Sequence, residues 1–211
     1  MDIFRHIEQT HRELVSRRLP AGEGHAVVLR RTYPAAVADV WEACTDADRL
    51  SRWFLPVTGE LRLGGHYQLE GNAGGEILYC EPPRLLKVTW IFGADPGEAA
   101  GTSEVELRLE ALGPEETRLE LVHAGIETPE RWAEFGPGAT GVGWDLALLG
   151  LNQYLGGELV ADPAEWETSP EVVEYSRRSA WAWADAHRAA GGRADEAEAA
   201  ARNTAKFYAG A

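Results

Sequence analysis

An α+β fold, with a run of antiparallel strands closed by a long helix, follows from three features of the sequence. Between Val57 and Ile126 apolar residues recur with a period of two, and Gly-Gly, Pro-Pro and Gly-Pro pairs punctuate the run. Farther on, Trp144, Leu148, Leu151 and Leu155 stand at i, i+4, i+7 and i+11, a continuous apolar stripe over Thr140–Leu155 that must pack on something. Helical spacing otherwise falls on the flanks, giving the order helix, strand, two short helices, strands, long helix, then more helix.

Taken in order, Ile3, Ile7, Leu14 and Val15 have helical spacing over residues 2–19, with His6, Glu8, Arg12 and Arg17 free to face water. Pro20 and Gly22–Gly24 end that helix. His25–Tyr33 carries Val27, Val28 and Leu29 and stops at Pro34, the signature of a first strand. Ala35–Cys44 turns helical through Val37, Val40 and Trp41, and Asp46 or Asp48 is placed to cap a second short helix carrying Leu50, Trp53 and Phe54.

Strands follow over Glu60–Glu70, Glu76–Cys80, Leu85–Phe92, Ser103–Leu112 and Thr117–His123. In the last two, Val105, Leu107, Leu109, Leu119, Leu121 and His123 alternate against charged residues, so one face is buried and Glu104 and Glu106 belong to the wet one. Residues 127–140 read as loop anchored by Trp132 and Phe135. In the long helix Gly141, Gly143 and Gly150 each cost about 1 kcal/mol relative to Ala, which calls for a close backbone approach, with the sheet as the expected surface. Gly156-Gly157 closes it. A Pro-bearing segment, Asp162–Pro170, leads to helices over Val172–Ala190 and Ala194–Phe207.

The chain has 211 residues, 45% apolar and 26% charged, with a formal net charge of −14, a composition that suits a globular protein with a core needing no disulfide or metal staple. Thirty-four acids against 20 Lys and Arg disfavour nucleic acid and anionic membrane surfaces as partners, since neither phosphate-rich surface meets a basic stripe. Cys44 and Cys80 form no CxxC pair, and the six histidines show neither HxH nor HExxH spacing, so no metal or other cofactor is expected. GxSxG and phosphate-loop motifs are absent. With no signal-peptide stretch in Met1–Pro20 and no membrane-length apolar run, a cytoplasmic protein is expected; abundant Arg, Ala and Gly suit a high-GC bacterial source.

Several short pieces, taken together in their order, carry a resemblance. They are Val40-Trp41, Trp53-Phe54, Leu63-Gly64-Gly65 with Tyr67, Gly75-Glu76-Ile77-Leu78, Pro82-Pro83-Arg84-Leu85, Thr89-Trp90, Thr117-Arg118-Leu119 with His123 and Gly125, and Gly143-Trp144. This order over His25–Gly157 resembles the START-like (SRPBCC) superfamily, and most closely its branch similar to the C-terminal domain of the heat-shock-protein-90 ATPase activator. The resemblance implies a helix-grip fold, a curved antiparallel sheet around a long C-terminal helix, with an apolar cavity between them in many members. It divides the chain into an N-terminal helical extension (residues 1–24), the START-like domain (25–158) and a helical C-terminal extension (159–211), neither extension belonging to the core pattern.

In such a grip the inward residues Tyr67, Leu69, Val88, Trp90, Val105, Leu107, Leu119 and Leu121 oppose Trp144 and Leu148, with Trp41, Trp53 and Phe54 near the mouth. That lining suits a small hydrophobic or aromatic ligand, and it would serve equally as plain core. His123 shares parity with Leu119 and Leu121; a partner such as Glu76, Tyr67 or Tyr79 would make it an acid–base group, whereas a satisfied core histidine has no chemical role.

Three readings stay open: a ligand-binding protein without chemistry, which the residues favour; a cyclase- or aromatase-like enzyme built on the same cavity; and an interaction module. The last is either co-chaperone-like or a homodimer formed through Trp166, Trp181 and Trp183 of the extension. The excess of 8 Trp over 1 Met is thereby divided between the grip and the tail.

Overall fold

The computed structural model describes residues 2–93, 102–158, 166 and 168–210. Helix α1 (Phe4–Gln9) precedes β1 (His11–Leu19) and β2 (Gly22–Tyr33), and α2 (Val37–Thr45) and α3 (Ala47–Leu50) lead into β3 (Val57–Gly59), β4 (His66–Leu69), β5 (Gly74–Glu81), β6 (Leu85–Thr89), β7 (Ser103–Gly113) and β8 (Glu116–Gly125). Then come α4 (Pro129–Phe135), α5 (Gly138–Leu155), α6 (Pro170–Ala189) and α7 (Ala194–Tyr208). All eight strands form one antiparallel sheet in the order β1-β2-β8-β7-β6-β5-β4-β3, and α5 lies against its inner face. This is the α+β helix-grip fold.

Local chemistry explains most boundaries. The Asp46 side chain accepts from the Arg49 amide and caps α3, while Thr128 and Ser169 do the same for α4 and α6, each followed by proline at the first helical position. Alternation on β7 and β8 places Val105, Leu107, Leu109, Leu119 and Leu121 in the core. The opposite face is a lattice of cross-strand ion pairs, among them Lys87–Glu104 at 2.7 Å and Arg30–Glu120 at 2.5 Å. Glu104 and Glu106 stand on this outer face as expected, although Glu106 is buried beneath its neighbours beside Arg108.

The N-terminal reading needs the largest correction. Helix ends at Gln9, where Thr10 turns extended and its hydroxyl donates to the His6 carbonyl at 2.7 Å, and residues 11–19 form an edge strand rather than helix. Leu14 and Leu19 are its buried positions, and pairing runs from His11↔Arg30 to Leu19↔Gly22. Helical spacing of four apolar residues was a weaker constraint than the hairpin that Pro20-Ala21 permits. His6 and the side chain of Arg12, expected in water, are buried. Residues 129–135, expected as loop, form α4, and strand pairing in Glu60–Glu70 is confined to His66–Leu69. Most of the expected Pro-bearing segment, residues 162–165 and 167, lies outside the described residues.

The tail is docked internally. Trp183 of α6 is fully buried in the main core, Trp181 packs among the α6–α7 alanines, and Trp166 packs on the cluster of Ile3, Leu149 and Tyr175. The three therefore form no common exposed patch, and α6 buries Tyr175, Ser179, Ala180, Trp183 and Ala184. Their anchor is Asp145 of α5, fully buried. Arg12 grips it through Nε at 2.9 Å and Nη2 at 2.8 Å, the Ser179 hydroxyl donates at 2.5 Å, and the Trp183 indole N–H donates at 2.9 Å.

Close approach explains the helix glycines, with partners other than the sheet. A Cβ on Gly141 would lie 2.2 Å from Cε2 of Trp183, and one on Gly150 would lie 2.9 Å from the Trp53 carbonyl oxygen. Gly141→Ala is therefore expected to destabilise the protein by about 2 kcal/mol or more, even though alanine is the better helix former by about 1 kcal/mol. Urea denaturation checks this, and a variant as stable as the parent would contradict the packing.

Candidate functional site

A cavity of about 180 Å³ lies between α5, the inner face of the sheet and the α2–α3 region. Of the fourteen residues that the sequence places around the grip, twelve line it: Trp53, Phe54, Tyr67, Leu69, Val88, Trp90, Val105, Leu107, Leu119, Leu121, Trp144 and Leu148.

The remaining two stand elsewhere. Trp41 is buried in the core but off the cavity, because side chains on a helix tilt toward its N-terminus and the wall is formed by Cys44 and Thr45 one turn later. His123 is not among the lining residues, although it stands opposite the lining Val105 in the β7–β8 pairing.

Aromatic contacts shape one side of the cavity. Trp53 is fixed by its indole N–H, which donates to the Ala43 carbonyl at 2.9 Å. It stacks on Phe54 at 5.5 Å between ring centroids, Phe54 stacks on Trp144 at 6.2 Å, Trp144 meets Trp90 at 5.1 Å, and Trp90 meets Tyr67 at 6.4 Å. Gly150 makes the first link possible by letting the Trp53 backbone reach α5.

The polar groups of the wall are already occupied or neutral. The Tyr67 hydroxyl donates to the Thr89 carbonyl at 2.7 Å, and burial holds it well above the usual phenol range. Burial also pushes the Cys44 thiol up to about 12, so it stays protonated. Arg62 is the charged residue of the lining, and its guanidinium is tied to Glu60 at 2.5 Å in an exposed pair.

His123 has its own partners. The Trp144 indole N–H, which can only donate, reaches His123 Nδ1 at 2.9 Å; Nδ1 is therefore an acceptor and the proton resides on Nε2, 2.8 Å from the Ser103 hydroxyl. Burial lowers its pKa to about 4, which keeps the imidazole neutral. None of the partners expected for acid–base chemistry is used: Tyr67 bonds Thr89, and Tyr79 bonds Glu81 at 3.0 Å. The imidazole instead fixes the orientation of Trp144.

Sequence alternation missed part of the wall. A bulge between Ile77 and Tyr79 of β5 shifts the parity, so Ile77 and Cys80, which strict alternation puts on opposite faces, both reach the cavity. Leu50 ends α3 and Val57 opens β3, elements too short to carry a periodic signal. Leu86 shares parity with Val88 and was legible on that ground. Among the described residues no group of three or more His, Cys, Asp or Glu could hold a metal ion, and no helix is long and apolar enough to cross a membrane.

Residues 34–156, more than half of the chain, match the family described as Activator of Hsp90 ATPase homolog 1-like protein. The chain belongs to this family. Within the SRPBCC superfamily it is similar to CalU16 from Micromonospora echinospora, at 39% identity over 85% of this chain and 98% of that one in the crystal structure, with a TM-score of 0.67. The solution structure of CalU16 gives 39% identity over 86% and 96%, with a TM-score of 0.71.

MLL2253 from Mesorhizobium loti matches at 25% identity over 63% of this chain and 97% of that one, with a TM-score of 0.52. None of the curated proteins compared with the chain matches it. The likeness to CalU16 spans more of the chain than the Activator of Hsp90 ATPase homolog 1-like region does, so it reaches into the segments flanking the grip.

Proposed function

We propose that this protein binds a small, uncharged aromatic or alicyclic molecule in the cavity of the grip. The observation that carries the reading is the wall itself: about 180 Å³ of space bounded almost wholly by apolar side chains, whose buried hydroxyl and thiol are spent or neutral. Water finds few partners in such a space, whereas a flat hydrocarbon gains contact on all sides. Burying about 200 Å² of ring surface contributes about 5 kcal/mol before the cost of association.

Titration of ¹⁵N-labelled protein with naphthalene and with cyclohexane is expected to shift the indole N–H signals of Trp53, Trp90 and Trp144 saturably while leaving Trp181 and Trp183 in place. Ala147→Phe, which extends a lining side chain into the cavity, is expected to abolish the shifts without unfolding the chain. If the three signals stay still with both ligands, or respond identically in the filled variant, the reading fails. The neutral, doubly engaged His123 supports binding over proton transfer, so the cyclase-like alternative gains nothing from the site geometry.

A further inference from the structure

We propose that a second, polar cleft, separate from the apolar cavity, binds a small zwitterionic amino acid, its carboxylate on Arg31 and its ammonium group near Glu115 and Glu116. The cleft holds about 990 Å³ between α1, the end of β2, the β7–β8 turn and the C-terminus of α5. Its floor is the Arg31 guanidinium. Arg31 has the parity of Val27, Leu29 and Tyr33, so an arginine stands on the inward face of the sheet, and it is only 6% exposed.

A buried arginine normally meets a carboxylate, because an uncompensated buried charge costs several kcal/mol. Arg31 meets none within ion-pair distance among the described residues. Nη1 donates to the His6 carbonyl at 3.1 Å and contacts the Thr10 hydroxyl at 3.4 Å, and Nη2 donates to the amide oxygens of Gln9 and Asn152, both at 3.2 Å. Its buried Nε has no partner among the described residues. The nearest internal acid, Asp145, is held at both oxygens by Arg12, so this part of the interior contains two guanidinium groups for one carboxylate. Gln9 and Asn152 themselves line the cleft, so a carboxylate entering it would take the place of their neutral amide oxygens on Nη2.

The rim has the opposite sign. Glu115 and Glu116 line the cleft, are exposed, and form no ion pair among the described residues, while Arg5, the other lining arginine, is already beside Asp2 at 3.9 Å. A simple anion would have to pass those carboxylates, and a simple cation would stop at them. A molecule carrying both charges satisfies floor and rim together. A charge-assisted hydrogen bond at each end contributes about 1.5–3 kcal/mol, or roughly tenfold or more in affinity per end.

Calorimetric titration with glycine, 4-aminobutanoate and 6-aminohexanoate, with hexanoate and hexylamine as single-charge controls, tests this. At least one of the amino acids is expected to bind tenfold or more tightly than both controls. Arg31→Met should weaken it at least tenfold, and the exposed double variant Glu115→Gln/Glu116→Gln should reduce it to the level of hexanoate. The second variant keeps the test decisive if the first is poorly folded. Ala147→Phe in the apolar cavity should leave the titration unchanged. The proposal is overturned if none of the three amino acids binds saturably, if hexanoate or hexylamine binds as tightly as the best of them, if the glutamate variant binds like the parent, or if Ala147→Phe abolishes binding.

Discussion

Asp145→Ala is expected to cost about 4 kcal/mol or more, lowering the melting temperature by roughly 10 °C or more in a chain of this size. The reason is what the side chain leaves behind. Arg12 would remain in the interior with Nε and Nη2 unanswered and only Nη1 held, by the Ile7 and Thr10 carbonyls, and the Ser179 hydroxyl and Trp183 indole N–H would lose their acceptor, each a desolvated donor costing about 1–3 kcal/mol. Because Asp145 joins α5 to β1 and to α6, the loss should loosen the edge strand and the tail together.

The double replacement Asp145→Leu with Arg12→Met removes both charges at once and should recover at least 1–2 kcal/mol relative to Asp145→Ala, as apolar substitutes for a buried pair commonly do. Thermal melts and urea curves of the three proteins decide it. A single variant within 1 kcal/mol of the parent would show that Asp145 is no anchor.

Stability should also fall as the solution is acidified from pH 6.5 toward 4.5. His6 is buried, its Nδ1 lies 2.8 Å from the Tyr175 hydroxyl, and burial with the nearby Arg31 charge lowers its pKa to about 2. His123 is lowered to about 4 and His187 is lowered as well, both chiefly by burial. An unfolded histidine titrates near 6.5, so below that pH the unfolded chain takes up protons that the folded one refuses. The contribution is therefore fully present above about pH 6.5 and declines as pH falls.

For His6 the slope approaches about 1.4 kcal/mol per pH unit, or roughly 2 kcal/mol between pH 6.5 and 4.5, and His123 and His187 act in the same direction. Urea denaturation at half-unit intervals should show the decline, and His6→Leu should flatten it by about one proton. An unfolding free energy independent of pH over that window would contradict the buried, neutral state of these rings.

Legibility varied with the kind of residue. Positions on regular elements in the middle of the sheet, such as Val105, Leu107, Leu119 and Leu121, were legible because a strand's alternation fixes the face on which each side chain stands. Trp144 and Leu148 were legible for the parallel reason on a helix. Parity alone put His123 inward correctly but said nothing of whether it lines the cavity, and it could not name Ser103 and Trp144 as its partners. Ile77 and Cys80 escaped because a bulge changes parity without leaving a mark that alternation can read. Helical spacing misled over residues 11–19, where a nine-residue edge strand has too few buried positions to declare its period.

The sequence by itself determined the class and order of the fold, the aromatic lining of the grip and the family. Those depend on periodicity, turn chemistry and short motifs, all local along the chain. Only the tertiary structure decided how charges met in the interior: that Arg12 pairs with Asp145, 133 residues away, and that Arg31 stands on an apolar sheet face with no carboxylate among the described residues to answer it. The cost or benefit of a buried charge is set by groups brought together from distant segments, and such proximity has no signature in the spacing of residues.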